Sequence, residues 1–220
     1  MSITPDKKDT FITVNLTEGR KYKVAEIKLA GDLIVPEAEL QKLIRLKPGD
    51  VFSRERLTET TKLIQDRLGN EGYAFASINP VPEIDREKDE VTFTLYVDPG
   101  RRVYVRRIGI FGNTNTRDEV IRREMRQMES GWYNTDKLNR SKQRIDKLGF
   151  FSDVQVDTPA VQGSTDQVDV EVKLTERATG NLTAGIGYST AEKVILSAGI
   201  SQSNIFGTGN ALSLQVSTGS

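Results

Sequence analysis

Apolar and polar residues alternate from Tyr22 to Leu29 and again from Val103 to Ile110, the pattern of a half-buried strand, and Gly31 or Gly112 follows each run. The two runs are copies. Val24, Ile27, Leu29 and Gly31 recur as Val105, Ile108, Ile110 and Gly112, each 81 residues later. At the same offset Leu40 matches Ile121, Ile44 matches Met125, Val51-Phe52 matches Trp132-Tyr133, Leu57 matches Leu138 and Ile64 matches Ile145. Past the helices the offset changes, so that Gly72-Tyr73 matches Gly149-Phe150, and Val91, Phe93, Leu95 and Val97 match Val168, Val170, Val172 and Leu174. One length change in a loop explains the slip, and such self-similarity marks an array of one supersecondary unit.

Within each copy the periodicity then turns helical. Pro36 suits the first position of a helix, and Thr116 with Glu119 has capping-box spacing ahead of Val120, Ile121, Met125 and Met128. A second helix is predicted from near Ser53 or Thr135, with Leu57, Ile64 and Leu68, or Leu138, Ile145 and Leu148, on one face; Gly72 and Gly149 stop it. A hairpin closes the unit, Ala76 to Ile84 with Glu90 to Val97 and Ser152 to Pro159 with Gln167 to Leu174. Proline is tolerated in sheets mainly at edges, so Pro80, Pro82 and Pro159 make the middle strand of each copy the expected exposed edge. The unit is therefore β-α-α-β-β, an α+β fold with a three-stranded mixed sheet packed on two helices.

The flanks differ from the copies. Ile12, Val14, Leu16 and Gly19 fall 81 residues before Phe93, Leu95, Val97 and Gly100, so residues 1–20 are expected to be the last strand of a preceding module. The chain is then expected to be a piece of a longer protein, and the lack of a visible signal peptide carries no information on compartment. From Gly180 charge drops and three alternating stripes follow: Leu182, Ala184, Ile186, Tyr188; Val194, Leu196, Ala198, Ile200; and Leu212, Leu214, Val216. Turns at 189–192 and 204–209 separate strands of about ten residues, the signature of transmembrane β-strands. Three strands of a soluble β-domain are the alternative. Neither closes a barrel, because three strands cannot.

Composition narrows the chemistry. The 31 Lys and Arg balance 31 Asp and Glu, which does not favour a nucleic-acid partner, and no apolar run approaches a membrane-spanning helix. Without a cysteine or a histidine the chain has no thiol nucleophile, imidazole base or common zinc ligand. No carboxylate pair stands out by spacing, and Gly207-Thr208-Gly209 lacks the strand before it that a phosphate loop needs. A binding protein without cofactor is expected, not an enzyme.

The segments Thr4-Pro5-Asp6-Lys7-Lys8, Thr17-Glu18-Gly19, Arg122-Arg123-Glu124-Met125-Arg126-Gln127-Met128-Glu129, Leu148-Gly149-Phe150-Phe151, Asp166-Gln167-Val168-Asp169-Val170 and Gly185-Ile186-Gly187-Tyr188 run in order along the chain. With them the chain resembles the polypeptide-transport-associated (POTRA) family of outer-membrane assembly and secretion proteins. The resemblance implies a fourth-like module at 21–100, a fifth-like module at 101–177 and the first strands of an incomplete antiparallel β-barrel at 178–220. It implies a place in the outer membrane with the modules in the periplasm, and a scaffold that binds unfolded outer-membrane proteins, docks partner lipoproteins and assists insertion. A two-partner secretion transporter is the alternative.

Two candidate surfaces follow. An edge strand offers unpaired N–H and C=O groups to any extended peptide; the candidate edge positions are Ser77, Ile78 and Val81 in the first copy and Val154, Gln155 and Val156 in the second. The alternative is that these edges are merely solvated. The resemblance further implies that Arg122, Arg123, Arg126 and Glu129, on the first helix of the second copy, contact a BamD-type lipoprotein; a solvated charged helix face is the bland alternative. Arg101, Arg102, Arg106 and Arg107 cluster at the junction between copies, where strand alternation is expected to split them between two faces. Trp132 and Tyr133 are expected in the core.

Overall fold

In a computed structural model, the structure describes residues 2–3, 10–11, 20–189 and 193–219. Two short strands, β1 (Ser2–Ile3) and β2 (Thr10–Phe11), pair antiparallel. The expected strand through Ile12, Val14 and Leu16 lies outside the described residues.

The first module runs β3 (Lys23–Gly31), α1 (Glu37–Leu43), α2 (Arg54–Gly69), β4 (Ser77–Asp85) and β5 (Glu90–Asp98). The second repeats it as β6 (Tyr104–Phe111), α3 (Asp118–Arg122), α4 (Thr135–Lys147), β7 (Phe151–Asp157) and β8 (Gln167–Glu176). Each sheet has its last strand in the centre, in the orders β3-β5-β4 and β6-β8-β7, with the first strand parallel and the hairpin partner antiparallel to it. The alternation read from sequence explains this. Val91, Phe93, Leu95 and Val97, and their counterparts Val168, Val170, Val172 and Leu174, are all buried against the helices. Each such side chain contributes roughly 1.5–3 kcal/mol on burial. The glycine that ends the first strand is dictated by closeness as well as by φ: a Cβ on Gly31 (φ +95°) would lie 2.2 Å from the Val97 carbonyl oxygen, and one on Gly112 (φ +86°) 2.0 Å from that of Leu174.

The second helices start where expected, and each has a side-chain cap. Ser53 accepts from the Arg56 N–H and Asn134 from the Lys137 N–H. The first helices depart from expectation. Thr116 makes no capping box, because α3 starts after Arg117 and Thr116 is buried, its hydroxyl accepting from Asn204 instead. Pro36 is the N-cap residue of α1, one position earlier than expected. Helix α3 is only five residues long, so Met125 enters the core from the following loop and Met128 is exposed.

Two further expectations are corrected. A bulge between Val105 and Ile108 interrupts the alternation, so Arg106 and Arg107 both reach Asp169, Arg106 through two bonds of 2.8 and 2.6 Å. Trp132 is exposed, with the Arg102 guanidinium 4.3 Å above its ring, while Tyr133 is buried.

The modules are joined end to end. Arg102 donates to the Glu71 carbonyl (2.7 Å), Val103 N–H to that of Gly72 (2.9 Å), and the Asn134 amide to that of Asn70 (2.9 Å). After the second module, β9 (Gly180–Ser189), β10 (Lys193–Ile205) and β11 (Asn210–Gly219) form an antiparallel sheet with β10 central and no closed barrel. Its register puts Leu182, Ile186, Leu196, Ile200 and Leu214 on one exposed apolar face, with Thr183, Gly185, Ser197 and Ser213 on the other. Such a two-faced sheet has the pattern expected of barrel strands. The expected turn at 189–192 lies largely outside the described residues.

Candidate partner-binding surfaces

Among the described residues β4 and β7 each pair on one side only, with β5 and β8. The two edges are not equivalent. In an antiparallel ladder, alternate residues turn their N–H and C=O toward the partner strand and away from it. Pro80 and Pro82 stand opposite Leu95 and Phe93, and having no N–H they occupy outward-facing positions. The outer rim of β4 has therefore lost two donors, leaving Ile78 and Ile84 on either side of them. In the second module Val172 and Leu174, the counterparts of Leu95 and Val97, stand opposite Val156 and Val154. Valine thus replaces Pro80 at the matching position, and the β7 rim keeps its donors. Of the candidate edge positions, Ser77, Val81 and Gln155 are exposed, Ile78 and Val156 half-buried, and the Val154 side chain buried, so that Val154 can offer only its backbone.

The opposite edges are closed by different means. At its start β3 is covered by the loop before α2, with Val24 N–H donating to the Asp50 carbonyl (2.8 Å) and Gly49 N–H to that of Val24 (2.7 Å). Val105 is covered in the same way by Gly131 and Ser130. Only the second module goes further. Ile108 N–H donates to the Glu129 carboxylate (2.8 Å), and the Arg122 guanidinium donates to the Ile108 carbonyl (3.1 Å) and to Asp118 (2.6 Å). Side chains here stand in for a neighbouring strand. At the matching positions the first module has Pro48 and Gln41, and Gln41 bonds Glu37 instead. Ile108 is buried, whereas Ile27 is only half-buried.

The four charged residues expected to form one lipoprotein-contacting helix face are therefore dispersed. Arg122 and Glu129 clamp their own strand. Arg123 lies against the β10–β11 turn, where a Cβ on Gly209 would meet its guanidinium at 2.5 Å. Arg126 is exposed and faces α4 across a groove of about 440 Å³ lined by Lys137, Arg140, Gln143, Arg144 and Lys147. Only Arg122 is helical; Arg123 is the C-cap and the others follow it.

Sequence reading missed several positions. Thr60 and Ser141, buried on the apolar faces of α2 and α4, accept from the Arg45 and Arg126 N–H groups (3.0 and 2.8 Å) and fasten the loop before each helix. A hydroxyl kept at the same offset on both apolar stripes was the available signal. Gln127 is buried where the first module has Leu46; its amide donates to the Met128 and Trp132 carbonyls, and its Oε1 has no partner among the described residues. Glu176 fastens the 114–116 loop, which in turn meets the strands that follow the module. Burial alone would push its carboxyl up, but donors from Thr114, Asn115 and Thr116 outweigh it and bring the pKa from the ordinary 4.5 to about 2. Thr116 then meets Asn204 (2.9 Å), and Arg117 N–H donates to the Gly207 carbonyl (2.9 Å). Among the described residues no three carboxylates converge to hold a metal ion.

A POTRA family model, described as a surface antigen variable number repeat, matches residues 22–100 and 103–177. The chain is 43% identical over 213 residues to the outer membrane protein assembly factor BamA of Neisseria meningitidis serogroup B, covering 96% of this chain and 27% of that protein. It spans about a quarter of the length of that relative. Among solved structures, BamA from Haemophilus ducreyi lacking POTRA domains 1–3 superposes with a TM-score of 0.75 at 36% identity, over 90% of this chain and 37% of that one. Haemophilus influenzae BamA POTRA3–5 superposes with a TM-score of 0.68 at 38% identity, over 72% of this chain and 63% of that one.

Proposed function

Since the chain belongs to the POTRA family and, within it, to the BamA outer-membrane assembly factors, we propose that it supplies part of a non-enzymatic scaffold that receives unfolded outer-membrane proteins by strand addition, docks assembly-machinery subunits and assists membrane insertion. Such proteins lie in the outer membrane with their POTRA modules in the periplasm. Residues 21–100 act as the fourth-like module, 101–177 as the fifth-like module, and 178–220 as the opening strands of the barrel. The match to a structure that lacks domains 1–3 supports that assignment.

The observation that carries the binding role is the one-sided pairing of β7, whose rim at Val154 and Val156 presents backbone donors and acceptors with no proline among them. A backbone ladder confers affinity with loose demands on sequence, as a receptor for many substrates requires. The β4 rim is the lesser edge: of Ser77, Ile78 and Val81 only Ile78 shares the outward parity of Pro80 and Pro82, which interrupt the donors beside it.

For a BamD-type lipoprotein the residues in question are Arg122, Arg123, Arg126 and Glu129. Their internal duties separate two ways of losing the partner. Arg126→Glu alters an exposed charge alone, whereas Glu129→Lys also unseals β6. Co-purification of the lipoprotein with each full-length variant tests the docking role: loss with both supports it, loss with Glu129→Lys alone reduces it to a folding effect, and retention with both removes it.

A further inference from the structure

The groove between Arg126 and α4 carries charge of one sign. Lys137, Arg140, Arg144 and Lys147 follow at intervals of three, four and three residues, which places them on one stripe about 15 Å long. All four side chains are exposed, as is Arg126 across the groove. The adjoining stripe of α4, Leu138, Ser141 and Ile145, is buried in the module. The helix is held at its start by the Asn134 cap and by Asp136 N–H donating to the Asn70 side chain (2.8 Å), so the basic stripe is displayed on a fixed element.

The first module shows that the fold does not require this. The positions matching Lys137, Arg140, Arg144 and Lys147 are Arg56, Glu59, Leu63 and Asp66, and the counterpart of Arg126, Arg45, is paired with Glu59 at 3.6 Å. There the same face is mixed and self-neutralised. Asp136 and, from the loop after α3, Glu124 already pair with Arg140 (2.8 Å) and Arg144 (2.6 Å), so the cations left for a partner are Arg126, Lys137 and Lys147. Among the described residues no carboxylate comes within 4.0 Å of Arg126, Lys137 or Lys147.

We propose that this groove is a docking surface for an acidic segment of a partner protein. Its carboxylates seat between Arg126 and the α4 stripe. A membrane surface fits less well, since an interfacial helix presents apolar residues beside its cations and the apolar stripe of α4 is turned into the core. The surface is separate from the β7 rim and from the clamp formed by Arg122 and Glu129; it shares Arg126 with the lipoprotein reading but rests on the α4 cations, which that reading does not use.

The test uses the whole chain and a labelled 12-residue alanine-based helical peptide with glutamates at positions 1, 4, 8 and 11, about three turns long. Fluorescence anisotropy at low salt is expected to show saturable binding that Lys137→Glu/Lys147→Glu weakens about tenfold, added salt weakens progressively, and Arg56→Glu leaves within about twofold. The neutral pair Lys137→Gln/Lys147→Gln is expected to fall between, and unchanged circular dichroism shows that the fold is retained. Binding equally sensitive to Arg56→Glu, or insensitive to both double variants, overturns the proposal. So does capture by phosphatidylglycerol vesicles that the double reversal abolishes while peptide binding persists.

Discussion

The two modules share a sheet order, a bulge in the first strand, a strand-ending glycine and a buried helical hydroxyl, yet they leave different edges open. In the first, prolines blunt the β4 rim, and beyond Val24 the described residues supply no side-chain clamp to β3. In the second, β7 keeps its donors, and Glu129 with Arg122 closes β6 at Ile108. The core pattern decides that a POTRA sheet forms; a handful of rim residues decide which of its edges stays open. An unguarded edge is an aggregation hazard as much as a binding site, so selective closure is what turns one into the other.

The harshest break of the comparison removes something both modules share. Gly112→Val puts a branched side chain at a positive φ, against the Leu174 carbonyl, and is expected to cost about 3 kcal/mol or more, with Gly31→Val similar in the first module. Gly163→Ala, at φ +80° but with nothing within 4 Å, is expected to cost only about 1 kcal/mol. Urea unfolding of the three variants ranks them, and equal losses would show that the close approach is not what selects glycine.

Removing the clamp acts on one module. Glu129→Ala strands the Ile108 N–H and is expected to destabilise by about 1–2 kcal/mol. Amide exchange should quicken at Ile108 and stay unchanged at Ile27, its counterpart. Unaltered exchange at Ile108 would mean that the carboxylate does not seal the edge.

A smaller, symmetric loss is expected from the helical hydroxyls. Ser141→Ala and Thr60→Ala each leave one loop N–H without its acceptor, at Arg126 and Arg45, for about 1 kcal/mol. The pair sharpens the comparison, because unequal losses would show that the two loops lean on different contacts.

The pH-dependent loss belongs to Glu176. Its folded pKa lies below the ordinary value, so its contribution is fully present above about 4.5 and declines as pH falls toward about 2. Glu176→Gln should flatten the acid limb of the stability curve between those values; an unchanged limb would assign the acid sensitivity elsewhere.

Much of this fold was legible in the sequence because its central strands alternate without interruption and most core residues recur at one offset before the loop change and another after it. Leu57, Ile64, Phe93 and Leu95 announced their burial and their copies confirmed it. What failed to show was whatever depended on a break in period. The bulge at Arg106 and Arg107 adds a residue that alternation cannot register, so both arginines meet Asp169. The early end of α3 withdrew Arg126 and Glu129 from the helix that Met125 and Met128 suggested. Thr116 had the letters of a cap and a different duty, set by Asn204 at the end of β10, almost ninety residues away. The candidate edges were readable from proline, because its missing donor is a property of the residue itself. The clamp on β6 was not, because it joins a carboxylate to a backbone group in another element.

The central claim is that the β7 rim, and not the proline-bearing β4 rim, accepts an added strand. Backbone amide NMR of the whole chain, titrated with an extended peptide from an outer-membrane β-strand, tests it most directly. Shifts are expected at Ser152, Val154 and Val156 with little change at Ile78 and Ile84, and Val156→Pro should abolish them. Shifts centred on β4, or a response on β7 that survives Val156→Pro, would contradict the account.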